Sequence, residues 1–409
     1  MTMIQKLKGF RDFLPDDARK RRWLKDRMIE VAERWGYEPL ETPTLEPLEL
    51  FTGQIGEDEK LFFSFTDAGG RKVAMRYDQT VPTVRVLGEY ANTLTLPFRR
   101  YQYQQAFRAE KPQKGRYREF TQFDIDIFGV ASPLADAEVI ASNLEICKNI
   151  GFSQAIAVVS SRSLLSGMPY EAVVAIDKLN KIGEAGVIAD MESKGISHVQ
   201  AQEYLEFVKN LKPNDEIRTI FYYLENAGFG SDWYRFEPTL TRSFSYSQGP
   251  IWEIVIPQYD AGSIGGGERY DGMIKKITGL DIPGTGIAFG FDRTLEAADA
   301  CGLVPKFVSN SSVLVTVFSP DLMDIAIKTA QSLREGGLPA ELYPDPSVKL
   351  EKQLRYADRK NIPFAIITGP DEASKATLVL KNMITKTQNE FPVDGAAAAI
   401  KSALNNNVR

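Results

Sequence analysis

Four arginines stand in short runs whose neighbours are apolar or aromatic: Arg76 in AMRYD, Arg108 in QAFRAE, Arg242 in LTRSF and Arg293 in GFDRTLE. Carboxylates accompany them at Asp78, Glu110, Glu253 and Asp292. A lone arginine on a strand is ordinarily a solvated side chain, so no single one of these carries weight. The set does. Guanidinium groups grip carboxylate and phosphate oxygens in a two-pronged way and stay charged when desolvated. A cleft holding several arginines and carboxylates suits phosphoryl or nucleotidyl transfer, where catalysis is mostly positioning and charge stabilisation, with little proton transfer.

Two counts exclude other chemistries. The single histidine, His198, lies in the polar stretch SKGISHVQAQEY, with no serine or cysteine elbow beside it; it reads as a surface residue. The two cysteines, Cys147 and Cys301, are far apart and lack a CxxC partner. Neither a disulfide framework nor a cysteine-based zinc site is expected, and no metal site is assigned. The glycines of GTGIAFG lack the strand-before-loop order and the downstream acid of a dinucleotide fingerprint. They fit close backbone packing on a pocket floor instead.

These residues need a scaffold. At 409 residues, 43% hydrophobic and 25% charged, the chain has the composition of a globular protein of two or three domains. It has neither a membrane-length apolar run nor a signal core, so a cytoplasmic address without membrane contact is expected. The net charge of −5 argues against a wholly basic nucleic-acid surface, but two runs are locally basic: KPQKGRYR from Lys111 and KLEKQLRYADRK from Lys349.

Leu24, Met28, Val31 and Trp35 recur at helical spacing, and Gly36 stops that helix. YEPLETPTLEPLELF carries three prolines and reads as extended. LFFSF and KVAMRYD are strand-like around the turn DAGG. LPFRRYQYQQAFRAE and EFTQFDIDIFG both alternate in period two, which predicts an antiparallel hairpin whose loop is the basic run KPQKGRYR. From about 160 to 232 the pattern is helical and charged, as in an inserted module. Strand character returns at TLTRSFSYSQGPIWEIVIP, followed by the glycine-rich AGSIGGGERYDGMI, and GIAFGF leads from a strand into a helix. After the polar link LVPKFVSNSS, strands and helices alternate to the end, which predicts a separate α/β domain over 309–409, with 1–308 as the core.

Several of these segments resemble one family. FRAEKPQKGRYREFTQFDIDIFG closely resembles motif 2 of the class II aminoacyl-tRNA synthetases in its histidyl form. GTGIAFGFDRTLEA resembles motif 3, and LETPTLEPLELF, with Pro43, resembles motif 1. MRYDQTVP is similar to the family segment that holds the substrate amine, and GGGERYDGMI to a histidyl-specific signature. The last domain resembles the class IIa anticodon-binding domain. The resemblance covers the whole chain in order. It implies an α+β protein: an antiparallel-sheet catalytic core with a helical insertion, then an α/β anticodon-binding domain.

The resemblance also implies roles. Arg108 would bind the α-phosphate of ATP and steady the amino-acid carboxylate. Glu110, Arg116 and Arg118 would hold the adenine edge, the other phosphates and the acceptor end. Phe120 would stack on adenine, and Arg293 would take the γ-phosphate. Arg242 would stabilise charge developing at the α-phosphate. Asp78 and Thr80 would receive the α-ammonium group. Gln122, Asp126, Tyr246 and Tyr270 would serve the amino-acid pocket with Arg108 and Arg242. The implied substrates are L-histidine, ATP with Mg2+, and tRNA(His), acted on by a homodimer formed through motif 1.

The chain departs from the family where RSFSYS replaces the usual RGLDYY, placing Ser245 and Ser247, and where Glu268 replaces a common glycine. These changes touch the substrate pocket and leave two alternatives open. One is a non-catalytic paralogue regulating ATP phosphoribosyltransferase, a type that normally lacks the last domain. The other is a synthetase-like enzyme for another small molecule.

Overall fold

The first helix runs Pro15–Arg34, with proline and two aspartates in its first turn, where the helix dipole favours them. It buries Leu24, Met28 and Val31. Gly36, at φ +75°, lets the chain leave it. The computed structural model describes residues 4–52, 61–111, 116–241, 248–306 and 309–406. The chain divides into two compact units, Met1–Pro305 and Lys306–Arg409.

The larger unit is built on an eight-stranded sheet. In spatial order its strands are Glu38–Pro39, Phe98–Phe107, Glu119–Phe128, Gly284–Gly290, Gly265–Arg269, Pro250–Val255, Ile156–Ser161 and Tyr234–Phe236. All neighbours are antiparallel except the outermost pair at each edge. A small three-stranded sheet pairs Lys72–Met75 with Leu45–Pro47 and Ser64–Thr66.

The hairpin Phe98–Phe107/Glu119–Phe128 sorts its side chains by the two-residue period of a strand. One face carries Tyr101, Tyr103, Phe123, Ile125 and Ile127 into the main core, beneath helices Pro15–Arg34 and Pro133–Ile150. The other face is polar. Across the two strands Arg100 pairs with Asp126, Gln102 with Asp124, Gln104 with Gln122 and Ala106 with Phe120. The strand Gly284–Gly290 completes that face with small residues, setting Gly286 beside Asp126. A Cβ at Gly286 would lie 1.8 Å from Asp126 Oδ1, so only glycine leaves room for the carboxylate. Gly265–Arg269, within the glycine-rich stretch, is likewise a strand, and a Cβ on Gly267 would meet the buried Trp252 ring at 2.2 Å.

Helices Tyr170–Ile176, Leu179–Ser193 and His198–Lys209 gather a core of their own around Val173, Ile176, Val187, Met191 and Val208. Asp215–Asn226 does not belong to it. Its Ile217, Ile220 and Leu224 enter the main core, so the separately packed helices end before Asp215, short of the 232 expected from composition. His198 opens one of these helices with its side chain 58% exposed, against Glu192.

The smaller unit has a five-stranded sheet in the order Ala340–Leu342, Val313–Val315, Phe364–Ile367, Thr377–Asn382, Gln388–Pro392. Helix Leu350–Arg359 buries Gln353 and Ala357 and leaves Lys352, Arg355 and Arg359 exposed.

One carboxylate joins two arginines of the N-terminal segment to the large sheet. Asp292 accepts from Arg21, lies 2.9 Å from Arg11 Nη2 and accepts from the Thr121 amide at 3.1 Å. Removing one partner of a mostly buried ion pair leaves charge uncompensated. Asp292→Ala is therefore expected to cost about 3 kcal/mol, read as a lower denaturant midpoint with unchanged slope for the larger unit. An unchanged midpoint would contradict the clamp. Gly286→Ala is expected to destabilise by about 1–3 kcal/mol through overpacking, and to displace Asp126 in a crystal structure of the variant.

Candidate active site

A pocket opens on the polar face of the hairpin. Its lining includes Asp78, Thr80, Arg108, Gln122, Asp126, Glu268 and Tyr270, with Gly266, Gly286, Ile287 and Ala288 as the small or apolar floor. Every described residue expected to serve the amino acid is thus in one place.

Asp126 lies at the bottom, 2% exposed. Tyr270 donates its hydroxyl to Oδ1, and Arg100 Nη2 stands 2.7 Å from Oδ2. Burial pushes the Asp126 carboxyl up, and Arg100 and the Tyr270 hydroxyl oppose that rise. Burial and the adjacent carboxylate hold the Tyr270 phenol well above its ordinary range, so it remains a donor. Asp124, fully buried on the same face and farther from Arg100, is pushed higher still by burial.

Asp78 lines the same pocket. It precedes helix Thr80–Glu89, and its Oδ1 accepts the Val81 amide at 3.1 Å. One oxygen therefore caps the helix while the group still faces the cleft. Burial raises its pKa too, with Arg108 and Arg100 working against the rise. The backbone fixes these segments: Phe107 N donates to Arg76 O and Arg108 N to Arg118 O, both at 2.9 Å. The Arg108 guanidinium lies between the rings of Tyr77 at 4.2 Å and Phe120 at 4.9 Å. Those contacts hold the cation against aromatic rings without consuming all its donors.

The described residues expected at the nucleotide are not among that pocket's lining, except Arg108. Phe120 touches Arg108, as described. Glu110 and Arg116 face each other at 3.7 Å on the two arms of the hairpin loop, with Arg116 half exposed. Arg118 Nε donates to the Glu110 carbonyl at 3.1 Å. Arg293, on helix Phe291–Ala300, donates to the Ser263 carbonyl at 3.1 Å. Arg242 and Tyr246, like Ser245 and Ser247, lie outside the described residues.

Three of the residues in the four arginine–carboxylate pairs divide differently from the sequence expectation. Arg76 is buried beneath the hairpin, donating to the Thr42 carbonyl at 2.7 Å and the Gln105 carbonyl at 2.5 Å. It ties the proline-rich segment to the sheet. Asp292 is taken up by the N-terminal clamp. Glu253 pairs across from Gly266 on the sheet and is not among the pocket's lining residues. Conversely, Arg100, Gln102 and Gln104, which no motif singled out, form the layer under the pocket. The alternation phase of YQYQ against DID could have located them.

Residues 9–201 match the family model described as Histidyl-tRNA synthetase. Residues 312–403 match the one described as Anticodon binding domain. The Histidine--tRNA ligase of Cytophaga hutchinsonii is 34% identical, with 95% of this chain and 97% of that protein covered. That of Gloeobacter violaceus is 33% identical over 97% and 98%. A crystal structure of histidyl-tRNA synthetase from a Nostoc strain superposes with a TM-score of 0.84 at 26% identity, covering 98% of this chain and all of that one. Together with the antiparallel sheet and the residues gathered on its polar face, these likenesses establish that the chain belongs to the histidyl-tRNA synthetase family.

Proposed function

We propose that this protein is a histidine–tRNA ligase. It joins L-histidine to ATP, giving histidyl-adenylate and pyrophosphate, and transfers the histidyl group to the terminal ribose of tRNA(His). The observation that carries the reading is the pocket itself. A carboxylate at Asp78 for the ammonium group, a cation at Arg108 for the carboxylate and phosphate, and the Asp126–Tyr270 pair for the ring are set along one cleft.

In the first step a substrate carboxylate oxygen attacks the α-phosphorus and the bond to pyrophosphate breaks. Arg108 holds both reacting oxygens, and Arg242 is assigned to the charge that develops between them. Phe120 offers adenine a flat apolar face, Glu110 and Arg116 its edge and phosphates, and Arg293 the γ-phosphate. Thr80 assists Asp78. Gln122 and Tyr246 are assigned to the amino-acid pocket with Tyr270. In the second step a ribose hydroxyl attacks the acyl carbon and AMP leaves.

Mg2+ would accompany ATP as counterion to its phosphates. Among the described residues no group of three His, Cys, Asp or Glu side chains is placed to hold it. A homodimer through the proline-rich segment and a cytoplasmic location complete the reading. No helix among the described residues is long and apolar enough to cross a membrane. The anticodon-binding match at residues 312–403 favours a ligase over a regulatory paralogue without that domain.

A panel of amino acids in ATP–pyrophosphate exchange tests the assignment. A buried site built to hydrogen-bond a ring rejects analogues lacking it by about four orders of magnitude, so histidine should dominate. Asp126→Asn should cost far more in kcat/KM than Ser247→Ala. Preference for another amino acid, or a silent Asp126→Asn, would overturn it. Truncation before Lys306 should leave exchange measurable but raise the KM for tRNA by about tenfold or more, since the exposed lysines and arginines of Leu350–Arg359 suit a phosphate backbone. Unchanged tRNA affinity would exclude that role.

A further inference from the structure

One side chain reaches Asp126 from below, and the reaction as described does not use it. Arg100 lies directly across the hairpin from Asp126 and is completely buried. Its Nη2 is 2.7 Å from Asp126 Oδ2 and 4.0 Å from Asp124 Oδ2. Nη1 donates to Gln102 Oε1 at 3.1 Å. The Gln102 amide donates in turn to Thr42 Oγ1 at 2.9 Å and to Gln104 Oε1 at 2.6 Å. The guanidinium is thus held by a chain of amides with no solvent contact, and its position is set by the sheet.

A buried arginine is costly unless it is paired, and here one cation serves two carboxylates. Arg99, its neighbour in sequence, shows the ordinary alternative: it points to the other side and pairs with Glu138 at 2.9 Å, partly exposed.

We propose that Arg100 is a positioning residue for amino-acid selection, holding Asp126 as a charged acceptor aimed at the ring N–H of the substrate. The proposal rests on histidine being that substrate. Tyr270 fixes the opposite oxygen, so the carboxylate cannot rotate away, and Asp124 keeps the guanidinium centred beneath the pocket.

Among the described residues the groups facing Asp126 are few. Arg100 comes from the first hairpin strand, Asp124 from its own strand, and Tyr270 from the end of Gly265–Arg269. Glu268, Asp78 and Arg108 line the same pocket. The adjoining strand contributes only Gly286, Ile287 and Ala288 there. Among the described residues Arg100 is the cation in direct contact with Asp126, and its loss leaves that carboxylate desolvated with no cation against it. The acid then takes up a proton at higher pH, and the pocket loses its charged acceptor.

The test compares Arg100→Gln and Arg100→Lys with the unaltered enzyme in histidine-dependent ATP–pyrophosphate exchange across roughly pH 6–9. The ring of free histidine titrates identically in every assay, so a difference between profiles belongs to the protein. Arg100→Gln should raise the KM for histidine about tenfold while the KM for ATP stays within about twofold. It should also move the acidic limb of kcat/KM for histidine upward by about one pH unit, as expected for losing an opposite charge at contact distance. Arg100→Lys keeps the charge and should return that limb to the unaltered position, even where its shorter reach leaves some KM deficit. A purely structural residue would lower the fraction of active enzyme, counted by adenylate burst, with the KM and the limb unchanged. That result, or a limb that Lys fails to restore, overturns the proposal. Unaltered enzyme that activates another amino acid and not histidine overturns the substrate reading, and this inference with it.

Discussion

A carboxylate at the bottom of a sheet-lined pocket survives only if something compensates its lost water, and the organisation of this protein follows from how Asp126 is accommodated. Three elements contribute at once. The first hairpin strand brings Arg100 to 2.7 Å, the end of a glycine-rich strand brings the Tyr270 hydroxyl, and the adjoining strand withholds a side chain at Gly286. Each contribution depends on register. A slip of one residue would turn Arg100 to the opposite face and bring Tyr101 inward. The antiparallel sheet therefore fixes which side chains its polar face presents.

The same sheet separates stability from recognition. On one face, Tyr101, Phe123, Ile125 and Ile127 pack under two long helices in the main core. On the other, the large side chains near the pocket are mostly polar, and several hydrogen-bond to one another or to the backbone. Gln79 donates to the carbonyls of Gln104 at 2.8 Å and Gln122 at 3.1 Å, and Arg76 anchors Thr42. This network underlies a pocket lined by Asp78, Arg108 and Asp126 together. Asp292 plays a related part for the outer arm: it receives two arginines of the N-terminal segment and the backbone of Thr121, next to Phe120.

Much of this was legible in the residues, and the omissions have physical reasons. The hairpin announced itself by strict alternation, and the family resemblance of its sequence, of MRYDQTVP and of GGGERYDGMI pointed to Asp78, Arg108, Gln122, Asp126 and Tyr270, which line one pocket. Arg100 escaped because the Arg99–Arg100 doublet carries no phase of its own; only its strand neighbours show which of the two turns inward. The strand Gly265–Arg269 was masked by glycine, which propensity assigns to loops but which packing here demands against Trp252. Asp215–Asn226 was grouped with the inserted helices because composition does not say which core an amphipathic stripe will join, and Ile217, Ile220 and Leu224 join the larger one. Gln388–Pro392, short and almost wholly exposed, offered no hydrophobic pattern.

The central claim is that one polar face of one hairpin presents a charged acceptor for an imidazole ring at a fixed distance from the groups that hold the amino-acid backbone. A crystal structure of the protein with bound L-histidine tests it most directly. The account predicts a ring nitrogen within about 2.7–3.2 Å of the Asp126 carboxylate, the α-ammonium group at Asp78 and the carboxylate at Arg108, with Arg100 and Tyr270 still on Asp126. A ring bound away from Asp126, or Asp126 swung off Arg100 to meet it, would contradict it.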